Sequence, residues 1–312
     1  MSGQALRIAI VSTGRSGTTW LQLLLSHLYD AAPVGARDWD ATTGSFATDG
    51  GAGLVGRLIQ RAAGQDYATW PQFWGSLPSR AIIHAHWHAH PPLVEELADR
   101  GVPVVTMARH PLDVLISHLA WVNRNQSEDL GLSFLRGATP TSEAFLDFAT
   151  GKLAQWLLAI TPGWWLREGV ARVRYEDLAD DPQRELKALA EALGLERRLS
   201  VEDALAAAGR ESLQQKASGV AGFLPSPVRG RLLALWAGLS RGSRRAFVEQ
   251  HRERKHYWQG TPGLWREFLP AESARTIAAA HQQSFECLGY DCDPDPNLTP
   301  AEAEANWLRR LV

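Results

Sequence analysis

The chain is poor in cysteine and has no long apolar run, and both absences narrow its class. Its 312 residues include two cysteines, Cys287 and Cys292, which are too few for a disulfide framework and favour a reduced protein. No run of about 18 apolar residues occurs, so no membrane span is expected. The first apolar segment leads into a glycine-containing turn and not into a signal cleavage site. The sequence therefore predicts a cytoplasmic protein.

The chain also lacks an excess of either charge. Its 32 Lys and Arg residues are balanced by 34 Asp and Glu, for a formal net charge of −2. Without a general basic field, a nucleic-acid partner is not expected, and any anion site has to be local. The hydrophobic fraction of 45% is enough for a large core, in one large α/β domain or in two small ones.

Short apolar segments alternate with helical patterns along the chain. Strands are predicted at residues 6–12, 80–86, 102–108 and 169–175. Helical patterns follow in TTWLQLLLSHLYD, LDVLISHLAWVNR and DPQRELKALAEALGL. This alternation predicts an α/β fold with a central, mainly parallel sheet flanked by helices. Irregular segments at 31–79 and 209–230 are predicted to be functional loops, and 291–312 a C-terminal extension that ends in an amphipathic helix.

The segment VSTGRSGTTWL (11–21) leads from a predicted strand into a predicted helix and is typical of an anion-binding turn. Gly14 and Gly17 allow backbone N–H groups to converge, and the helix dipole adds positive potential there. The turn also offers a cation and hydroxyl donors, Arg15, Ser16, Thr18 and Thr19. It lacks the Lys that precedes Ser or Thr in the ATP-binding pattern. The simple alternative for this segment is a plain capped helix start, with Ser and Thr as N-cap.

A second polar set lies at a later strand–helix junction, in MARHPLDVLISHLAW (107–121). Arg109 ends the predicted strand, Pro111 favours a helix start, and Ser117 lies two turns along that helix. A simple alternative for Arg109 is an ion pair with Asp113. The functional alternative is a second anion site, separate from the first.

Four histidines alternate in IIHAHWHAHPP (82–92), at positions 84, 86, 88 and 90. On a continuing strand they would share one face. They are interpreted as structural residues, as ligands of a transition metal, or as catalytic residues. No Cys or Glu set completes a recognisable metal-ligand spacing, whereas the ordinary pKa of histidine suits a general base.

Four segments together resemble the sulfotransferases, whose sulfuryl donor is 3′-phosphoadenosine 5′-phosphosulfate (PAPS). RSGTTWL resembles their 5′-phosphosulfate loop, and MARHPLDVLISHLAW is similar to their 3′-phosphate motif, Arg-x-Pro-x-Asp-Val-x-x-Ser, at every fixed position. VRYEDLADDP (173–182) and residues 260–290 resemble two further family segments. The resemblance implies a single sulfotransferase domain over 1–312 with a three-layer, P-loop-like fold. Segments 31–79 and 209–264 would then be loops that cover the substrate and cofactor.

The resemblance also implies which residues bind PAPS, and it implies no metal. The implied donor-binding set is Arg15, Ser16, Gly17, Thr18, Thr19, Trp20, Arg109, Ser117 and Tyr175. Within it, Arg109 and Ser117 would bind the 3′-phosphate, Trp20 would stack on the adenine, and Tyr175 would lie near it. The chain departs from cytosolic members at Trp258-Gln259-Gly260, where they carry Arg-Lys-Gly. Three upstream residues are candidates for the missing Arg contact, Arg252, Arg254 and Lys255.

The implied catalytic residues are His86, Arg15 and His84. His86 aligns with the family's general base, and His84 stands where cytosolic members carry Lys. Sulfuryl transfer, by analogy with phosphoryl transfer, has a loose, in-line transition state, so positioning and charge stabilisation carry most of the catalysis. Arg15 and the loop donors are aimed at the charge that develops on the departing 5′-phosphate. The reaction leaves a sulfate ester and adenosine 3′,5′-bisphosphate (PAP).

The acceptor is predicted to be a small, hydroxylated and partly apolar molecule. Aromatic residues are numerous in the segments that would surround the site, and no basic cluster suits a polyanion. These residues are Trp39, Trp70, Phe73, Trp74, Trp121 and Phe223. Two other functions stay open, an ATP- and Mg²⁺-dependent small-molecule kinase and a catalytically inactive nucleotide-binding module of the same fold. Nothing in the sequence specifies an oligomeric state.

Overall fold

The computed structural model of the chain describes residues 5–40, 45–46, 67–124, 132–218 and 260–311. The strands in this part are β1 (Leu6–Val11), β2 (Ala32–Gly35), β3 (Trp39–Asp40), β4 (Ser45–Phe46), β5 (Arg80–Ala85), β6 (Val104–Ala108) and β7 (Ala171–Arg174). Several residues discussed above lie outside the described residues, Phe223, Arg252, Arg254, Lys255, Trp258 and Gln259.

The first α-helices of the described chain come between strands, and the later ones follow one another in consecutive runs. They are α1 (Thr18–Tyr29), α2 (Trp70–Ser76), α3 (Pro91–Asp99), α4 (Pro111–Arg124), α5 (Glu143–Thr150), α6 (Lys152–Leu158), α7 (Ile160–Trp165), α8 (Tyr175–Asp180), α9 (Pro182–Leu193), α10 (Val201–Ser218), α11 (Ala271–Ala280), α12 (Gln282–Leu288) and α13 (Pro300–Leu311). Short 3₁₀ turns occur at Ser133–Leu135 and Leu264–Glu267. None of the described helices combines the length and the apolar character needed to cross a bilayer.

The main sheet has five strands in the order β2-β5-β1-β6-β7. β1 pairs with β6 in parallel, with Ala9 opposite Val104, and β2 pairs with β5 in parallel, with Gly35 opposite His84. β3 and β4 form a separate antiparallel pair. The predicted α/β class with a mainly parallel, helix-flanked sheet is confirmed.

The central strands are where the sequence placed them because they are short, nearly continuous apolar runs. In β1, residues Ile8–Val11 are fully buried, and in β6 every residue is buried, as expected for strands covered on both faces. β2 lies in the segment expected to be irregular, since its sequence Ala-Pro-Val-Gly carries two strand-breaking residues. Its position at the edge of the sheet explains the exception, because an edge strand tolerates a proline that lacks an N–H.

Residues 209–218, predicted as part of a loop, are helical instead and complete α10. Ser200 begins this helix as an N-cap, since its Oγ accepts the N–H of Asp203 at 3.0 Å. Acidic residues in the first turn, Glu202 and Asp203, favour the helix dipole. Alanine-rich sequence then outweighs the cost of about 1 kcal/mol for the single interior Gly209.

The described chain divides into two compact units. Unit 1 contains the residues up to Ile10, Thr19–Val105 and the described chain from Pro182 to α10. Unit 2 contains Val11–Thr18, Thr106–Asp181 and the described C-terminal part from Gly260. The buried core of unit 2 is built around α4, with Trp265, Phe268 and Trp307 among its largest side chains.

Candidate active site

The turn that follows β1 is anchored to β6 by side-chain hydrogen bonds. Thr106 Oγ1 donates to Val11 O at 2.8 Å, and the N–H of Met107 donates to Ser12 Oγ at 2.7 Å. The next residue, Thr13, is buried and exchanges hydrogen bonds with Thr161: its N–H donates to Thr161 Oγ1 at 2.8 Å. The predicted anion-binding turn therefore starts from a fixed position within unit 2.

Two residues of the turn have left-handed backbone conformations. Gly17 has φ 94°, as its predicted role requires, but the second such residue is Arg15, at φ 69°, and not Gly14. A Cβ on Gly17 would lie 2.7 Å from Tyr175 Cε2, so only glycine fits against that ring. A positive φ at a non-glycine residue is uncommon, and such strain is concentrated at functional sites. The strain thus falls on the residue that the sequence motif singles out.

The helix α1 begins directly after this turn. Its first backbone N–H groups have no partner within the helix, so they add positive potential at residues 16–18. Ser16 and Thr18 are buried, Thr19 is exposed, and Trp20 is partly buried. Trp20 therefore keeps an accessible part of its ring, as stacking on a base requires.

Arg15 meets the second predicted anion motif directly. Arg15 Nε donates to Ser117 Oγ at 3.3 Å, and Arg109 Nη1 donates to Arg15 O at 3.1 Å. The two motifs, 94 residues apart at their arginines, therefore share one location in unit 2. Burial, and secondarily the positive charge of Arg109, lower the pKa of Arg15 to about 10. Arg15 nevertheless stays cationic at neutral pH.

Arg109 is buried at 8% exposure and its Nε has no hydrogen-bond partner within the described chain. The alternative of an ion pair with Asp113 is not what the structure shows for these two residues. Asp113 Oδ2 accepts the N–H of Gly263 at 2.7 Å, and Oδ1 accepts the N–H of Trp265 at 3.0 Å. Burial raises the pKa of Asp113, while Arg109 and the two N–H donors oppose that effect. Arg109 thus keeps donor capacity for a ligand.

Tyr175 closes the same location from the C-terminal end of β7. Its ring faces the guanidinium of Arg109, with 4.5 Å between Arg109 Cζ and the ring centroid, and also contacts Gly17. Its hydroxyl donates to Gly260 O. Burial raises the pKa of this phenol, so it is a neutral donor. Tyr175 begins α8, whereas the sequence placed it at the end of a strand.

Two supporting residues, Asp113 and Glu176, were not assigned these roles from the sequence. Asp113 holds the 263–265 segment, as described above. Glu176 accepts from His110 N–H at 2.9 Å and from Tyr290 O–H at 2.6 Å, and so joins the residue after Arg109 to the C-terminal part. The only sequence feature that could have indicated these two residues is their place in the motifs. Asp113 is a fixed residue of the Arg109 motif, and Glu176 directly follows Tyr175.

The four histidines lie in unit 1, at the end of β5. The strand stops at Ala85, so they do not share one strand face as a continuing strand would require. The rings of His84 and His86 meet edge to face at 4.8 Å between centroids, and those of His88 and His90 lie 5.9 Å apart. Burial, and then His86, lower the pKa of His84 to about 3, and burial and His90 lower that of His88 to about 4. His84 is therefore neutral at physiological pH.

Among the described residues, no group of three or more His, Cys, Asp and Glu is arranged to hold a metal ion.

The aromatic residues of segment 31–79 pack around Phe46 in unit 1. The ring of Phe46 lies 4.6 Å from that of Trp70 and 5.2 Å from that of Phe73. Phe73 and Trp74 are buried and serve the core, whereas Trp39 and Trp70 keep partly exposed rings.

The sulfotransferase domain family matches residues 6–218 of the chain. A mouse sulfotransferase solved in complex with PAP superposes with a TM-score of 0.54 at 16% identity, over 91% of this chain and 86% of that one. A retinol dehydratase in complex with retinol and PAP gives a TM-score of 0.54 at 16% identity, over 96% of this chain and 85% of that one. No curated protein sequence matches significantly.

The fold is thus the three-layer, P-loop-like α/β fold of these solved structures, as predicted. The chain belongs to the sulfotransferase family, which confirms the identification made from its motifs. It is a sulfotransferase, an enzyme class whose sulfuryl donor is PAPS.

Proposed function

We propose that the chain transfers the sulfuryl group of PAPS to a hydroxyl of a small, partly apolar acceptor, using His86 as general base. The single observation that carries the proposal is the meeting of Arg15, Arg109, Ser117 and Tyr175 in unit 2. A nucleotide with phosphates at both its 3′ and 5′ ends needs two adjoining anion sites. Two sequence motifs that are distant along the chain supply them.

The donor fits the charges of these residues. Arg15 is partly buried and Arg109 is buried beside it, and the mutual repulsion of two cations favours an anion between or beside them. The orphan Nε of Arg109 and the hydroxyl of Ser117 are assigned to the 3′-phosphate. The backbone N–H groups of residues 16–18, with Ser16, Thr18 and Thr19, are assigned to the 5′-phosphosulfate. Trp20 and Tyr175 are assigned to the adenine.

Bound PAPS supplies an activated sulfuryl group and a 5′-phosphate leaving group. His86 accepts the proton of the acceptor hydroxyl as that oxygen attacks sulfur. Arg15 stabilises the negative charge of the departing phosphate, a task that a buried and permanently charged guanidinium performs without a metal. His84 contributes a neutral hydrogen-bonding group only, since its lowered pKa removes its charge at neutral pH. Arg15 is therefore the catalytic cation, and His84 orients.

The acceptor class is proposed from the partly exposed rings of Trp39 and Trp70 and from the solved relatives. One relative was solved with retinol and the same protein with androsterone, at a TM-score of 0.52. Both molecules are apolar and small.

The absence of a membrane-spanning helix among the described residues is compatible with the cytoplasmic location that we also propose. We further propose that the two units form one sulfotransferase domain over 1–312.

Titration calorimetry with PAP and with ATP and Mg²⁺ tests the donor assignment. PAP is expected to bind at least tenfold more tightly, and to raise the melting temperature with the logarithm of its concentration above Kd. Tighter binding of ATP with Mg²⁺ would instead favour the kinase. Transfer of label from radiolabelled PAPS to phenols and alcohols then separates an active enzyme from an inactive nucleotide-binding module.

A further inference from the structure

A cation lies beside the histidine segment, in the same unit and outside the donor motifs. Arg37 follows β2 by two residues, and β2 pairs with β5 so that Gly35 lies opposite His84. The pairing continues past the strand end, since the N–H of Ala36 donates to His84 O at 2.8 Å. Trp87 Nε1 then donates to Arg37 O at 2.7 Å. The backbone of Arg37 is thus fixed about one strand spacing, roughly 5 Å, from the residues around His86.

The guanidinium of Arg37 packs on an aromatic ring and keeps an unused donor within the described chain. Its guanidinium lies over the ring of Tyr67, at 4.6 Å from the centroid, and the backbone N–H of Arg37 donates to the Tyr67 hydroxyl at 2.9 Å. Burial raises the pKa of Tyr67, so that phenol stays neutral despite the nearby cation. The buried Nε of Arg37 has no hydrogen-bond partner in the described chain.

These two features together describe a preformed anion subsite. The guanidinium packs on an aromatic ring and the backbone of its residue is held on both sides, so the side chain is already ordered. Binding a ligand therefore costs it less conformational entropy than it would cost a mobile side chain. Its orphan Nε–H and the adjoining Nη–H form a forked donor pair that matches the two oxygens of a carboxylate. The subsite belongs to the acceptor side, because it adjoins the general base assigned above.

We propose that Arg37 binds a carboxylate of the acceptor, so that the substrate class is a hydroxylated carboxylic acid with a partly apolar body. The inference rests on the proposed function, and it narrows the acceptor further. The ion pair fixes one end of the acceptor, and the hydroxyl at the other end is thereby presented to His86.

The test uses matched acceptors that differ only in charge, 3-(4-hydroxyphenyl)propionate and its methyl ester, together with 12-hydroxydodecanoate and its methyl ester. The wild type is expected to show at least a tenfold higher kcat/KM for each acid than for its ester. Arg37→Gln is expected to remove this preference by raising KM for the acids, with the esters and PAP affinity unchanged. Arg37→Lys, which keeps the charge and loses the fork, is expected to retain part of it.

Arg100→Gln is the control, since Arg100 is exposed and pairs with Glu96 elsewhere in the same unit. A wild type that uses the esters as well as the acids overturns the carboxylate subsite, and this outcome requires no variant to fold. An acid preference that survives Arg37→Gln overturns it as well. If PAP binds and none of the four acceptors reacts or binds to the PAP complex, the subsite is wrong and the donor assignment stands. Failure to bind PAP would instead contradict the proposed function.

Discussion

The anion-binding turn of unit 2 and the histidine segment of unit 1 are built by different means. In unit 2, polar groups are held by directional hydrogen bonds, such as those from Gly263 and Trp265 to Asp113. In unit 1, the ring of His84 packs edge to face against that of His86, and burial lowers its pKa so that the ring is neutral. An arginine keeps its charge at neutral pH even when burial lowers its pKa, whereas a histidine loses its charge on burial.

This difference predicts that substitutions in the two regions have separable effects. Changes in unit 2 should act on nucleotide affinity and stability, and changes at the histidine segment should act on turnover or on pH dependence. The four predictions below are ordered by the size of the expected effect.

The largest effect is expected from His86→Ala. Loss of a general base lowers kcat by about 10²- to 10⁴-fold, while affinity for PAP should change by less than about twofold. Steady-state kinetics and calorimetry measure the two quantities. His90→Ala is the matched control, because His90 is exposed and makes no side-chain cap. Retention of full activity by His86→Ala would show that another group takes the proton.

Gly17→Ala is expected to destabilise the fold by about 3 kcal/mol, from a Cβ in a left-handed conformation and from overlap with Tyr175. Chemical denaturation measures this loss. Gly75→Ala is the control, since nothing lies within 4 Å of its added Cβ. In a Tyr175→Ala background the penalty of Gly17→Ala should fall, because the overlap is removed. An unchanged penalty there would assign the whole effect to backbone strain.

Arg109→Gln is expected to weaken PAP binding by about 2 kcal/mol, roughly 30-fold, because a charge-assisted hydrogen bond is lost. Adenosine 5′-monophosphate, which has no 3′-phosphate, should bind the variant and the wild type about equally. Calorimetry with both ligands measures the difference. Arg184→Gln serves as control, since Arg184 is exposed and contacts Glu185. Equal losses for both ligands would place Arg109 elsewhere than at the 3′-phosphate.

The smallest effect concerns pH. Because the pKa of His84 is lowered to about 3, the unfolded chain binds a proton below about pH 6.5 that the folded chain does not. The stability contributed by the neutral ring is present above that pH and is lost as the pH falls towards 3, by up to about 1.4 kcal/mol per pH unit. His84→Asn should flatten the decline measured by urea unfolding between pH 7 and 5. An identical slope would show that His84 titrates normally.

The sequence specified the elements whose local and global preferences agree. β1, β6 and α4 were predicted because a buried parallel strand is a continuous apolar run and a proline marks the helix start. β2 was missed since only its place at the edge of the sheet makes Pro33 acceptable. The last part of α10 was predicted as a loop because the segment 209–230 contains glycine and proline.

The sequence predicted the two anion-binding motifs, but it did not predict the contacts between them. That Arg15 would contact Ser117 depends on how two distant segments fold together, which no local pattern contains. The same is true of Asp113, whose partners lie about 150 residues away. The anion role of Arg37 had no motif at all, and it emerged only from the pairing of β2 with β5 and the ring of Tyr67.

The left-handed backbone conformation of Arg15 creates a trade-off between the stability of the protein and its binding of the ligand. Glycine or asparagine would relax this conformation and make the isolated protein harder to unfold, yet either would discard the guanidinium. Selection for stability and selection for nucleotide affinity therefore favour different residues at position 15. A library of variants at position 15 that is screened for thermal stability alone should enrich glycine and asparagine. The enriched variants should have low sulfotransferase activity.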